Sequence, residues 1–328
     1  MVLFLLLSLL SGTLELGVLF LGTRMGLPLW AALLAPLAYQ AGNLLFLPRL
    51  ASPRRAAAAG AAGVLLLPVN LRLQSPALFL LQICLASLCI QAARWGQKDA
   101  CPAWLKRSFR IGGFLLAPLL AYAPGPVLAC CVLLPAAVLL GAPGTPQAGG
   151  PLRLVPTMVF HQIHYFCYTY LLPVWVFQRS GSLLLSACCF ALTWVVYLLP
   201  QTLAERQGGT EPRRMFFACH GFLALDMAVL CAAALLDWPL LLLLTWLLTG
   251  LGGGSVFCIQ GLSARLAETD LTFSENVGHV LGALGAAVLA ACCPGRALPL
   301  LAGASCLLVC LTLACGAREA GRGVALHG

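Results

Sequence analysis

A chain of 328 residues that is 61% hydrophobic and only 9% charged, with a mean hydropathy of +0.96, cannot coat itself for water. A soluble domain carries roughly 25% charged residues. The net charge of +9 is spread thinly along the chain rather than gathered into a basic face with aromatic readers, so nucleic acid is excluded as a partner. The expected surroundings are a lipid bilayer.

A helix needs about 20 apolar residues to cross the hydrocarbon core. Laid along the chain, that length predicts spans at 2–22, 28–48, 56–71, 76–94, 109–123 and 126–141. A Gly/Pro-rich break follows, and six more spans are predicted at 154–178, 182–203, 215–235, 238–259, 275–293 and 297–316. The runs are continuously apolar, without the alternation that a membrane barrel requires, so they read as helices. The third span is the shortest, with an Ala-rich start and Pro68, which suits a short or tilted helix. The expected fold is therefore an all-α integral membrane protein with twelve transmembrane helices in two six-helix bundles. Residues 1–141 form the first bundle, 142–152 the linker, and 153–328 the second bundle with a short tail.

Cytoplasmic loops collect Lys and Arg. With the N-terminus inside, alternating loops hold fifteen basic residues on the inner side and four on the outer. Arg94 and Arg110 are counted among the inner loops. This bias predicts both termini in the cytoplasm. The first apolar run lacks a basic leader and carries Glu15, so it reads as a helix rather than a signal peptide. Nearly all of the sixteen cysteines fall inside predicted helices and none forms a C-x-x-C pair, so they read as small packing residues, with no metal and no cofactor expected.

The loops repeat. Pro53-Arg54-Arg55 ends the loop after span 2, and Pro212-Arg213-Arg214 ends the loop after span 8, six spans later. Each follows a tyrosine, Tyr39 or Tyr197, by a similar distance. Parallel repeats of this kind characterise a large class of transporters. With Gly42 and Arg54-Arg55 in one loop and the acidic-basic pair Glu205-Arg206 in the other, the chain resembles the major facilitator superfamily of secondary transporters. It departs from that family where Pro53 replaces a glycine, where the first loop lacks its acidic residue, and where span 4 offers Gln82 and Gln91 instead of a buried arginine. The resemblance implies a cavity lined by spans 1, 4, 7 and 10, which are also the spans richest in polar residues. It implies alternating access, proton coupling and export of a small amphipathic metabolite or drug across the plasma membrane, by a protein expected to be a monomer. An accessory protein without transport, and a membrane-embedded enzyme acting on lipid-linked substrates, are the competing readings; the largest inner loop holds no histidine or carboxylate pair, which speaks against catalysis.

A carboxylate inside a first helix is costly to keep charged. Glu15 is therefore either a proton carrier, as an acidic residue in helix 1 is in several multidrug exporters of that family, or a structural tie to a neighbouring helix. Asp226 in span 9 is a second proton site or a partner for His220 or an inner-loop arginine. His161 and His164, three residues apart with Tyr165 and Tyr168 beside them, form a candidate substrate face, joined by Gln82 and Thr249. The same histidines would also serve as proton relay, as satisfied interface residues, or as soft-metal ligands with Cys167. Arg54, Arg55, Glu205, Arg206, Arg213 and Arg214 are gating-loop candidates. Glu275 and His279, one turn apart at the predicted start of span 11, form either a capped helix end, with Ser274 as cap, or an inner gate. Gly278, Gly282 and Gly285 in that span are expected to permit close helix approach.

Overall fold

The computed structural model describes residues 2–45, 53–95, 103–141, 153–206, 212–253, 258–259, 261–262 and 266–324. The helices are α1 (Val2–Arg24), α2 (Leu29–Leu45), α3 (Pro53–Leu65), α4 (Leu67–Leu73), α5 (Pro76–Trp95), α6 (Ala103–Tyr122) and α7 (Pro124–Gly141). They continue as α8 (Pro156–Tyr168), α9 (Leu171–Ser180), α10 (Leu183–Arg206), α11 (Pro212–Leu235), α12 (Pro239–Gly253), α13 (Glu268–Cys292) and α14 (Ala297–Val324), with a short 3-10 turn at Pro294–Arg296.

Among the described residues, eight helical stretches are long and apolar enough to cross a membrane, from Val2–Arg24 to Pro294–Ala320. The other four expected spans have physical reasons to differ. Helices α2 and α12 are shorter, and α6 carries Lys106, Arg107 and Arg110. The seventh span is broken into α8 and α9. Pro173 has no N–H to give the carbonyl of Thr169, so the ladder is interrupted there; just before it, both the N–H and the hydroxyl of Thr169 donate to the Tyr165 carbonyl. Span 3 is likewise split at Leu66, with Pro68 in the first turn of α4.

Two compact units form. One contains Met1–Gly149 with Pro173–Ala191, and the other Gly150–Leu172 with Leu192–Gly328. In the first unit α1 packs on α6, and α3 packs on α5 and α7. In the second the equivalent helices do the same: α8 packs on α13, and α11 packs on α12 and α14. The turns repeat as well. Among the described residues, positive φ occurs at Gly26 (71°), Gln74 (49°), Gly181 (67°) and Asp237 (49°). Gly26 and Gly181 close the turns after spans 1 and 7, and Gln74 and Asp237 those after spans 3 and 9. The repeated Pro-Arg-Arg triplets open α3 and α11, each with proline at the first helical position, where its missing N–H costs nothing.

Burial is inverted relative to a soluble protein. Leu115, Leu119, Leu133, Leu225, Leu244 and Leu307 are exposed, while Ser11, Glu15, Gln82, Gln91, His161, His164 and Thr249 are buried. An exterior of leucine around a polar interior suits lipid. The fifteen described cysteines are free, and several donate weakly across helices, such as Cys89 Sγ to Val132 O at 3.4 Å and Cys231 Sγ to Pro299 O at 3.4 Å.

The expected start of span 11 needs correction. Helix α13 begins at Glu268, with Ala267 in the cap position and no side-chain cap, so Glu275 and His279 lie in its third and fourth turns. Ser274 does not cap its own helix. Its hydroxyl donates to Asp270 O at 2.7 Å and accepts the backbone N–H of Val155 at 2.8 Å, satisfying an orphan donor where α8 begins. Ser274→Ala is expected to destabilise the protein by about 1 kcal/mol, as other lost caps do, read as a lower thermal midpoint in detergent; an unchanged midpoint would refute this role.

Candidate functional sites

The first unit owes its site to two glycines. A Cβ on Gly12 would overlap the carbonyl oxygen of Arg110, and one on Gly113 would overlap that of Leu9 and stand 3.0 Å from the Gly12 Cα. Only with hydrogen at both positions do the α1 and α6 backbones come this close. Glu15 lies three residues after Gly12 and Arg110 three before Gly113, so the crossing sets their side chains against each other. Arg110 donates from Nε at 3.0 Å and from a terminal nitrogen at 2.5 Å, both to Glu15 Oε2. Glu15 is 1% exposed and Arg110 22%.

Beside this pair runs a second chain of contacts. Arg94, in the last turn of α5, donates to Ser11 Oγ at 2.9 Å and to Gln91 Oε1 at 3.3 Å. The Ser11 and Tyr39 hydroxyls are 2.5 Å apart. Arg94 and Arg110, expected in loops, instead belong to helices and reach polar residues of α1. A half-buried arginine therefore does occur at the end of span 4. Charge density alone assigns an arginine near a predicted boundary to the loop; only its partner on another helix shows that the helix continues. Gln82, a substrate candidate, accepts from Asn70 Nδ2 at 2.8 Å, fastening α4 to α5.

The second unit gathers imidazoles. A Cβ on Gly278 would stand 2.6 Å from Val159 O, and one on Gly282 2.6 Å from Ile163 O, so α13 lies against α8 there as α6 lies against α1. Gly285 has no such neighbour, contrary to expectation. On α8, His161 Nδ1 is 2.9 Å from His220 Nε2 on α11, and His220 Nδ1 is 2.9 Å from Phe216 O. A carbonyl only accepts. The His220 proton is therefore on Nδ1, its Nε2 accepts, and His161 donates from Nδ1. The two rings and the Phe216 carbonyl form one hydrogen-bonded chain from α8 into α11.

His164 stands edge-on to His161, with ring centroids 4.9 Å apart, and stacks near Tyr168 at 6.4 Å. It is fully buried, and neither of its ring nitrogens has a hydrogen-bond partner among the described residues. Tyr165 packs with Tyr168, Trp194 and Tyr197 at 6.2–6.3 Å. The Tyr168 hydroxyl lies beside that of Thr249, which donates to Trp246 O at 2.6 Å. His279 stacks on Phe166 with centroids 3.3 Å apart. Asp226 is buried, and its Oδ2 has no partner among the described residues. Both ring nitrogens of His220 are engaged elsewhere, so it does not serve Asp226, one of the roles its sequence position allows. His220 itself carries no sequence signal beyond being polar in a span outside the four expected to line the cavity; its bond to His161 joins α11 to α8.

The remaining candidates are separate from these clusters. Arg54, Arg55, Arg213 and Arg214 lie in the first turns of α3 and α11, and Glu275 is exposed on α13. Glu205 and Arg206 end α10, and their side chains lie outside the described residues. Among the described residues no three His, Cys, Asp or Glu side chains converge as metal ligands do.

No protein-family model matches the chain, and no curated protein sequence matches it. Solved structures do. A bacterial homologue of the iron transporter ferroportin in its inward-facing state matches with a TM-score of 0.66 at 14% identity, covering 97% of each chain. The outward-facing state of a bacterial ferroportin homologue matches with a TM-score of 0.62 at 13% identity, covering 98% of this chain and 99% of that one. A point mutant of the nucleoside transporter NupG matches with a TM-score of 0.56 at 11% identity, covering 97% of this chain and 98% of that one. The chain thus has the helical membrane fold of these transporters over nearly its whole length.

Proposed function

We propose that this protein is a multi-pass secondary transporter of the major facilitator type, working by alternating access. One observation carries the reading: each compact unit encloses a cluster of buried charged or imidazole side chains within a leucine exterior, in a fold that solved transporters share. Polar groups held inside a membrane protein at such cost mark substrate or ion paths. On this reading the chain crosses the bilayer twelve times, with repeating halves at 1–141 and 153–328 and both termini on the cytoplasmic side of the plasma membrane. It works as a monomer, without cofactor or catalysis.

The coupling ion proposed is the proton, carried by Glu15 with Asp226 as a second site, and the direction proposed is export. His161, His164, Tyr165 and Tyr168 offer a small amphipathic molecule an aromatic wall with imidazole hydrogen-bonding groups. The arginines at the starts of α3 and α11, with Glu205, Arg206, Glu275 and His279, act at the gates.

Purified protein in proteoliposomes with a trapped pH-sensitive dye tests this. Substrate-dependent proton movement is expected, and is expected to fall to background in Glu15→Gln. Full movement in that variant removes Glu15 from coupling. Absence of flux for every compound in a broad panel of drugs and metabolites overturns the transporter reading.

A further inference from the structure

The first unit holds a charge that its own residues do not balance. Its acidic residues are Glu15 and Asp99, and Asp99 lies outside the described residues. Glu15 is committed to Arg110 through both guanidinium donors. Arg94 lies within electrostatic reach of both, yet its own hydrogen bonds go to the neutral side chains of Ser11, Gln91 and Tyr39. Its Nε is buried with no hydrogen-bond partner among the described residues. A guanidinium keeps its charge under all physiological conditions, so the cluster carries one net positive charge inside an apolar helical unit. A structural arginine in such a place is normally matched by a carboxylate, as Arg110 is.

The orphan Nε is also a directional clue. Nε and an adjacent terminal nitrogen form the edge of the fork that takes an oxyanion in bidentate fashion. On the other side of the same guanidinium, one terminal nitrogen already donates to Ser11 Oγ and Gln91 Oε1, and the Ser11 hydroxyl meets that of Tyr39; the Gln91 Nε2 is likewise buried and without a partner among the described residues. The neighbouring carboxylate would repel an anion if it were bare, but Arg110 neutralises it. The preparation is for negative charge, and for one unit of it.

We propose that Arg94 is an anion-binding residue, and that the Arg94–Ser11–Tyr39–Gln91 cluster seats a singly charged oxyanion such as a carboxylate or a phosphate ester. This deepens the transporter reading and rests on it for its meaning: the transported molecule is an organic anion, or a lipid headgroup occupies the same seat. Gln91 and Tyr39 orient the oxyanion, and Arg94 supplies the compensating charge.

The experiment uses the full chain in detergent and in lipid nanodiscs, with the thermal unfolding midpoint as readout. Benzoate and inorganic phosphate are titrated against sodium chloride at equal ionic strength and against tetraethylammonium. In parallel, phosphatidylcholine nanodiscs with and without phosphatidylglycerol are compared. A saturable rise with the soluble oxyanions, weakened at least about 10-fold in Arg94→Gln, supports a soluble anion. A rise confined to phosphatidylglycerol, and lost in the same variant, supports a headgroup. Should Arg94→Gln not fold, Arg94→Lys replaces it: the point charge remains but the fork is lost, and affinity is expected to fall several-fold. No rise in the wild-type protein with any of these probes overturns the proposal, and so does an unchanged response in the variant that folds. An anion response without flux of any compound would overturn the transporter reading alone, and flux without an anion response would overturn the anion site alone.

Discussion

Glu15→Gln is expected to destabilise the protein by about 3 kcal/mol, the low end of what breaking a buried ion pair costs. Glutamine keeps the shape and one acceptor, so the loss isolates the charge. Arg110 would then stand in the helix crossing with no carboxylate. Its position is fixed by the Gly12–Gly113 contact, which leaves α1 and α6 no room to slide and release it. Arg110→Gln is expected to cost a similar amount for the converse reason, since Glu15 is 1% exposed and would lose its paired charge. The double variant Glu15→Gln/Arg110→Gln is expected to recover most of the loss, because two neutral amides can bond to each other. Thermal midpoints of the four proteins in detergent complete the cycle. Additive effects would show that the two residues are not a coupled pair. The double variant also matters for the dye assay, since Glu15→Gln alone confounds lost coupling with lost stability. If the double variant is folded and still moves protons, Glu15 is a tie between helices and not a carrier.

Replacing Gly113 by leucine is expected to have the other large effect. The first added carbon already overlaps the Leu9 carbonyl, and that obstacle is backbone, which has no rotamer by which to yield. Helix α6 must move away from α1, opening the contact that holds Glu15 to Arg110. Overpacking in a rigid interior costs roughly 1–3 kcal/mol by itself, and the ion pair would be strained in addition. The expected result is little monodisperse protein on size-exclusion chromatography. Gly285→Ala provides the control, because a Cβ there meets nothing within 4 Å. Within helix α13 it is expected to be neutral, or stabilising by about 0.5 kcal/mol through the reduced freedom of the unfolded chain. Equal damage from both substitutions would mean that helix contact is not what the glycines provide.

The membrane class is legible in the sequence because it depends on composition summed over long windows, which no single contact can overturn. Arginine is where that legibility fails. Arg94 and Arg110 look like loop residues because a lone cation ends an apolar run, and the pattern of one segment says nothing of a hydroxyl or carboxylate 83 or 95 positions away. Ser274 misleads for a related reason. It precedes an apolar run as a cap should, yet α13 starts six residues earlier and the hydroxyl serves α8 instead. Of the candidate site, the histidines of α8 can be placed by spacing alone. His220 cannot, because its role comes from a bond between helices.

The left-handed turns at Gly26 and Gly181, and at Gln74 and Asp237, fall at matching places in the two runs of six expected spans. Glycine and non-glycine fall at the same places in both. The interiors differ: one unit centres on guanidinium and carboxylate, the other on imidazole and phenol. The turns match while the lining differs, so exchanging one unit's lining for the other's would show whether the same helical frame tolerates either set of polar groups.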